Sequence, residues 1–375
     1  MKSYRIIISG GGTGGHIFPA ISIAETIIKR FPDSEILFVG ADNRMEMERV
    51  PAAGYNIIGL PVIGFNRNKM LHNIRVISRL FKSIRMAKKI LRDFKPDAVI
   101  GVGGYASGPT LWAATSLKIP SLIQEQNSYA GITNKLLGKR VVKICVAYEG
   151  MERFFPADKI ILTGNPVRKE LEEGLPKKNK ALAWFSLSTV RKTVLIVGGS
   201  LGARTINNGI FDGLDQLLEA GIQIIWQTGR SYYVYIRQLL DGKATKKLLW
   251  ISDFISQMDY AYAAADLVVS RAGAGSISEL CILGKPAILI PSPNVAEDHQ
   301  TKNALAIVNE KAAVMIVDKD AENQLADTIL KLIHDPSQLD LLSRNIGQMA
   351  KHHSAERIVD EIIKIIKDRQ KINRQ

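Results

Sequence analysis

Two glycine-rich turns constrain this chain more than any other feature. Gly10-Gly11-Gly12-Thr13-Gly14-Gly15-His16 follows the apolar run Tyr4–Ser9, and Gly198-Gly199-Ser200-Leu201-Gly202-Ala203-Arg204 follows Thr193–Val197. A strand, a glycine turn and a helix in that order open a parallel βαβ layer, because parallel strands need a crossover and the helix supplies it. Two such openings in 375 residues predict two Rossmann-like domains. The runs Glu35–Val39, Ala98–Val102, Ser121–Gln124 and Lys143–Ala147 continue the first set. Ile222–Gln227, Leu248–Ile251, Asp266–Ser270, Ala287–Ile290 and Ala313–Val317 continue the second. Segments of helical period lie between them, among them Pro19–Arg30 and Met70–Phe94. Pro19 fits a position just inside a helix start. The polar interval Glu170–Lys180 puts the boundary near Gly164–Glu173, and Leu182–Ser188 reads as linker. The expected division is 1–165, 166–350 and a terminal helix in 351–375 that returns to the first domain.

Cys145 and Cys281 are isolated thiols, too few for a disulfide scaffold or a CxxC metal site, and point to a reducing compartment. The six histidines show no metal-binding spacing and no paired acids end a strand, so neither a metal nor a cofactor is expected. No apolar run approaches the length of a membrane span, and the N-terminus reads as a first strand rather than a signal peptide.

The net charge of +14 is uneven. Residues 67–95 hold ten Lys and Arg against one acid, Asp93, and so supply +9 of it. On a helix over Met70–Phe94, Met70, Ile74, Ile77, Phe81, Ile84 and Leu91 make an apolar stripe. Arg75, Arg79, Lys82, Arg85, Lys89 and Arg92 make a basic one beside it. That pairing suits an anionic membrane surface; a core-facing stripe with a solvated basic face is the plainer reading. Nucleic acid is disfavoured, since only Phe81 and Phe94 interrupt the basic run and base stacking needs more aromatics.

The glycine turns point to phosphate or sugar chemistry, because glycine lets backbone approach a ligand and a helix N-terminus offers unpaired N–H groups. A plain tight turn is the alternative. The dinucleotide fingerprint is excluded by the lack of an acid ending the second strand, and a Walker loop by the lack of GK[ST]. Two further clusters, Gly101–Pro109 and Ser270–Ser276, also close strands, where ligands of open α/β sheets bind. A cleft between the two sheets would hold a nucleotide diphosphate and a second substrate. His16 is either an acid/base group or a neutral ring bonded to phosphate or backbone. Gln124-Glu125-Gln126-Asn127 is expected to point polar side chains into that cleft. Glu279 would accept paired ribose hydroxyls or merely satisfy a helix dipole.

In sequence order, GGGTGGHIFPA, GVGGYASGP, QEQNSYAGITNK, LTGNPVR, VGGSLGART, SRAGAGSISEL and AEDHQTKNA resemble the MurG family of peptidoglycan synthesis over residues 4–350. The resemblance implies a GT-B fold and inverting transfer of GlcNAc from UDP-GlcNAc to the C4 hydroxyl of the muramoyl sugar of lipid I, giving lipid II. It implies Thr13, Gly14, Gly15 and Asn127 near the donor sugar and diphosphate, and Arg168 and Ser200 on UDP. It places Ile255 on uracil through its backbone, Glu279 on the ribose, Gln300 on the GlcNAc hydroxyls, and His16 and Tyr105 on the acceptor side. Ile74, Arg75, Ile77, Arg79, Phe81 and Lys82 would meet the membrane, making the protein peripheral on the cytoplasmic side, with other cell-wall synthesis proteins as further partners. Gln124 stands where the family often has His, which leaves His16 as the remaining candidate for the base. A UDP-GlcNAc 2-epimerase and a glycosyltransferase acting on a diacylglycerol acceptor share this architecture and stand as rivals.

Overall fold

The computed structural model describes residues 3–62, 70–199, 201–241 and 247–372. The side chains of Ile74, Arg75 and Ile77 and the whole of Ser200 lie outside the described residues. The chain divides into two compact units, one of residues up to Arg168 together with Lys351 onward, the other Lys169–Ala350. Arg168 thus ends the first unit.

The first unit is a parallel sheet of β1 (Arg5–Ser9), β2 (Glu35–Ala41), β3 (Asn56–Leu60), β4 (Ala98–Gly101), β5 (Ser121–Glu125), β6 (Lys143–Val146) and β7 (Ile160–Leu162), in the order β3-β2-β1-β4-β5-β6-β7. Its helices are α1 (Gly14–Arg30), α2 (Glu46–Ala52), α3 (Met70–Phe94), α4 (Ser107–Ser116) and α5 (Ile132–Gly138). Alternation along each strand sends side chains to opposite faces. Ile6 and Ile8 pack with Ile17, Ile23 and Ile27 of α1, whereas Ile7 packs with Ala87 and Leu91 of α3 and Leu111 of α4. The last helix of the chain, written α16 below (Ser354–Ile372), closes the first of these faces through Ile358, Val359, Ile362 and Ile366. Gly164, at φ +86°, makes its return possible: a Cβ there would stand 2.5 Å from Lys351 Cβ and Ser354 Oγ.

The second unit carries β8 (Thr193–Val197), β9 (Gln223–Gln227), β10 (Leu249–Ser252), β11 (Leu267–Ser270), β12 (Ala287–Leu289) and β13 (Val314–Met315), again parallel, in the order β10-β9-β8-β11-β12-β13. Its helices begin with α6 (Lys169–Glu173), α7 (Lys178–Trp184), α8 (Arg204–Asp212), α9 (Leu214–Glu219) and α10 (Tyr233–Leu239). They continue with α11 (Met258–Ala264), α12 (Ala274–Leu283), α13 (His299–Val308), α14 (Ala321–Ile333) and α15 (Pro336–Gln348). Val194, Ile196, Trp226, Leu267 and Val269 of the sheet bury against Ile206, Ile210, Leu325 and Ile329 of its helices.

Three local expectations are corrected. Residues 182–188 are no linker: Leu182 lies inside α7 and is fully buried with Ala181, Phe185 meets Trp250 edge-on, and Trp184 lies tilted against it. Pro19 is no N-terminal proline, because α1 starts at Gly14; it lies inside the helix and cannot donate to the Gly15 carbonyl. The apolar stripe of α3 also divides. Leu91 joins the core-facing row Val76, Ser83, Ala87 and Leu91, while Leu80 and Phe81 stay 43% and 69% exposed.

Candidate active site

In the first unit the glycine turn passes from the carboxyl end of β1 into α1, with Thr13 extended at the N-cap. The turn is built around a buried carboxylate. Glu46, 1% exposed, accepts from the Gly12 N–H at 2.8 Å through Oε2 and from the Ala41 N–H at 3.0 Å through Oε1. Gly11 has to be glycine: its φ is +147° and a Cβ would lie 2.1 Å from Glu46 Oε1. The second glycine cluster of the unit, after β4, packs backbone to backbone on the first. A Cβ on Gly104 would lie 2.3 Å from the Gly11 carbonyl oxygen, and one on Gly103 would lie 2.7 Å from His16 Nε2.

His16 is half-buried, with Nδ1 3.0 Å from the Gly11 carbonyl oxygen and 3.2 Å from Thr13 Oγ1. A carbonyl can only accept, so this contact puts the proton on Nδ1. In the neutral ring Nε2 is then the basic nitrogen. Thr13 and Gly15 are exposed and Gly14 half-buried around it, and Tyr105, just after Gly104, is 52% exposed. Thr13, Gly14, Gly15, His16 and Tyr105 therefore share one rim.

The 124–127 stretch departs from expectation. Gln124, Glu125 and Gln126 are buried and bond inward. Gln124 donates to Asn165 at 2.9 Å, Gln126 donates to the Val102 carbonyl at 2.7 Å, and Asn165 donates to the Gln126 carbonyl at 3.0 Å. Glu125 accepts from the Asn127 amide, the Gly131 N–H and Asn134 Nδ2. Carboxamides at the end of a central strand are thus consumed in holding loops, because a buried polar group has to be bonded. Only Asn127 of the four is partly open. Arg168 is exposed at the end of this unit.

In the second unit the glycine turn after β8 is fastened by Gln227, a buried residue that sequence reasoning did not single out. Its Nε2 donates to the Gly199 carbonyl at 3.1 Å and its Oε1 accepts from the Ile255 N–H at 2.9 Å. That spends the Ile255 N–H within the protein, so any backbone recognition by this residue falls to its carbonyl. Gly202 (φ +86°) and Gly229 (φ +82°) touch so closely that a Cβ on Gly229 would stand 2.0 Å from the Gly202 nitrogen. Glu279 lies in the second turn of α12, beyond the dipole's reach. It is nearly buried and accepts from Tyr262 Oη at 2.9 Å, which fixes the carboxylate.

Gln300, at the start of α13, accepts from the Ser292 N–H at 2.8 Å, so its Nε2 group is the donor it can offer a ligand. The turn before it holds Glu297 and Asp298 at φ +57° and +51°. Two consecutive left-handed non-glycine residues cost of order 1–3 kcal/mol each, a strain typical of ligand loops. A second fastening joins the ends of β11 and β12: Arg271 donates to the Ile290 and Pro291 carbonyls and pairs with Asp318, which also accepts from Thr205 Oγ1. The first-turn N–H groups of α8 and α12 have no i−4 carbonyl, the usual provision for an anion.

On the far face of α3, Arg79, Lys82, Arg85, Lys89 and Arg92 are exposed beside Leu80 and Phe81. Trp112 of the neighbouring α4 is 43% exposed, with the Arg140 guanidinium 4.0 Å over its ring. No helix among the described residues is long and apolar enough to cross a membrane.

Comparison with known proteins adds to this geometry. Residues 6–146 match the glycosyltransferase family 28 N-terminal domain and residues 193–362 the glycosyltransferase family 28 C-terminal domain. A Parabacteroides distasonis protein named UDP-N-acetylglucosamine--N-acetylmuramyl-(pentapeptide) pyrophosphoryl-undecaprenol N-acetylglucosamine transferase is 67% identical, covering 98% of this chain and 99% of that protein. A Porphyromonas gingivalis protein of the same name is 57% identical, over 98% and 97%. Among solved structures, Acinetobacter baumannii MurG is 28% identical, with a TM-score of 0.78 over 96% of this chain and 99% of that one.

Proposed function

This chain belongs to the MurG family of glycosyltransferases, and from that membership we infer its reaction: it transfers GlcNAc from UDP-GlcNAc to lipid I in peptidoglycan synthesis. The observation that carries the reading is the 67% identity to a transferase of that name across nearly the whole of both chains. It disfavours the epimerase and the diacylglycerol-directed transferase.

The residues supply a mechanism for inverting transfer to the C4 hydroxyl. The acceptor oxygen attacks the anomeric carbon, the bond from that carbon to the diphosphate oxygen breaks, and the hydroxyl proton goes to His16 Nε2. The Gly11 carbonyl, holding Nδ1–H, keeps the ring in the tautomer that can accept it. UDP leaves as an anion, and the first-turn amides of α8 and α12 with Arg168 meet that charge. Glu279 takes the ribose hydroxyls, the Ile255 carbonyl the uracil, Gln300 Nε2 a sugar hydroxyl, and Ser200 the phosphates. Thr13, Gly14, Gly15 and Asn127 border the donor sugar, and Tyr105 the acceptor.

Lipid I is bound to a membrane, so the enzyme has to reach one. Exposed Leu80 and Phe81 beside the basic row of α3, with exposed Trp112 on the neighbouring α4, support peripheral binding to an anionic leaflet, each basic residue contributing about 1 kcal/mol. Ile74, Arg75 and Ile77 belong to this reading as expectations from the sequence, their side chains lying outside the described residues. The cytoplasmic side of the cell membrane and a role alongside other wall-synthesis proteins, in cell shape and division, follow from the same reading.

The test is transfer of labelled GlcNAc from UDP-GlcNAc to a short-chain lipid I analogue with EDTA present. Formation of the disaccharide product is expected. UDP-GlcNAc binding without transfer would keep the donor reading and overturn the acceptor.

A further inference from the structure

At the amino ends of the second unit's strands, opposite the glycine turns, lies a cavity of about 330 Å³ lined by Lys178, Lys192, Asp266, Lys285, Asp340 and the start of α15 at Pro336. Lys178 opens α7, and Lys192, Asp266 and Lys285 stand just before β8, β11 and β12. Three amines line it with one half-buried carboxylate that two of them already share. Asp266 Oδ1 takes Lys178 at 2.7 Å and Lys192 at 3.5 Å, and Oδ2 takes the Thr193 N–H at 2.9 Å. Lys285 Nζ donates to a neutral partner, the Ala265 carbonyl at 2.8 Å, and its attraction to Asp266 is outweighed by burial and the charge of Lys178. Asp340, the other acid of the lining, is exposed.

We propose that this cavity is an anion site that takes a phosphoryl group between Lys178, Lys192 and Lys285. A phosphoryl group has the oxygens to meet three amines brought from separate elements and the negative charge to meet their excess over the carboxylates of Asp266 and Asp340. The volume falls at the small end of ligand pockets, enough for a phosphate or a small phosphate ester. The state of Lys285 agrees with too little counter-charge: burial, and then the charge of Lys178, push its ammonium down to about 8 against the attraction of Asp266. A bound anion reverses that. The site is separate from the donor turns, so it does not depend on the transferase reading.

Competitive labelling of the intact protein with limiting acetic anhydride at pH 8, read by peptide mass mapping, tests the proposal. Inorganic phosphate is compared with sodium chloride at equal ionic strength, and exposed Lys331 on α14 serves as internal control. If phosphate carries the Lys285 pKa from about 8 to about 9, its neutral fraction and its labelling fall about fivefold. Lys331 stays unchanged. Protection by glycerol 3-phosphate as well marks the phosphoryl group of a small ester as the ligand; protection by phosphate alone marks free phosphate. The K178M/K192M variant loses the protection. Equal labelling in phosphate and chloride, or protection that survives in K178M/K192M, overturns the site. Should that variant fail to fold, phosphorus NMR of phosphate with the unmodified protein decides, absence of line broadening overturning the proposal.

Discussion

Glu46 and Gly12 are joined by a 2.8 Å hydrogen bond that ties the first glycine turn to the end of β2, where the other oxygen of the same carboxylate holds Ala41. The bond spans 34 residues, is partly buried, and holds the turn that carries Thr13 and His16. Glu46→Ala leaves two amides without their charged acceptor, at a cost of about 3 kcal/mol. It also lets the turn move. Turnover is expected to fall at least about tenfold, while UDP affinity, which the proposed mechanism assigns mainly to the turns of the second unit, changes much less. Glu46→Gln keeps one acceptor oxygen and falls between. Denaturant midpoints, kcat and UDP titration, measured together, check this. A loss of stability with full kcat would make Glu46 purely structural.

His16 and Gly103 should fail in the same way for different reasons. His16→Ala removes the proposed base, and a lost general base costs about 10²–10⁴ in rate. Gly103→Ala keeps the base but inserts a methyl 2.7 Å from Nε2, at a φ of +95° that alanine resists. Both variants are expected to bind UDP normally and turn over slowly. If His16→Ala instead weakens UDP binding and leaves kcat intact, the histidine is a phosphate ligand.

The central strands of both sheets were legible in the sequence, because strands covered on both faces are continuous apolar runs. β3 and β7 were not, and both are edge strands of the first sheet. Asn56–Leu60 alternates exposed and half-buried positions and contains a glycine, and Ile160–Leu162 has three residues, so neither gives a run to read. The glycine turns were legible as strand-to-helix turns at the carboxyl ends of β1 and β8. The residues that shape those turns gave no local signal. Glu46 and Gln227 act across 34 and 28 residues, and their neighbours in sequence resemble any helix start or strand end. Gln124 and Gln126 misled for the complementary reason: a polar strand end looks the same whether it faces a ligand or a buried carboxamide. Trp112 was hidden because its exposure depends on which helix α4 lies beside.

The membrane reading concerns charge and apolar contact separately. Replacing Arg79, Lys82 and Arg85 by Glu removes three attractions of about 1 kcal/mol each, so affinity for anionic vesicles should drop by at least about 100-fold at low salt. Phe81→Ser with Leu80→Ser should weaken binding even at salt concentrations that screen the charges. UDP affinity should stay unchanged in both. Vesicle flotation measures the first two and titration the last; unaltered flotation of the Glu variant would remove α3 from the membrane face.

Lys285 gives a pH dependence of known sign. Its folded pKa lies near 8, below the 10.5 of an ordinary lysine. Below pH 8 both folded and unfolded chains carry the proton, and the fold bears the cost of a poorly paired ammonium, of order 3 kcal/mol. Between about pH 8 and 10.5 the unfolded chain holds a proton that the folded one has released, so this group makes stability rise with pH, and the rise ends above 10.5. Lys285→Met removes the cost at neutral pH. The variant is expected to melt higher than the parent at pH 7, and the difference should shrink toward pH 10 as the parent sheds its charge. Thermal melts of both proteins across pH 7 to 10 measure it. Parallel curves would mean that Lys285 is ordinarily solvated, and a variant that melts lower at pH 7 would mean that its hydrogen bond to Ala265 outweighs the burial of its charge.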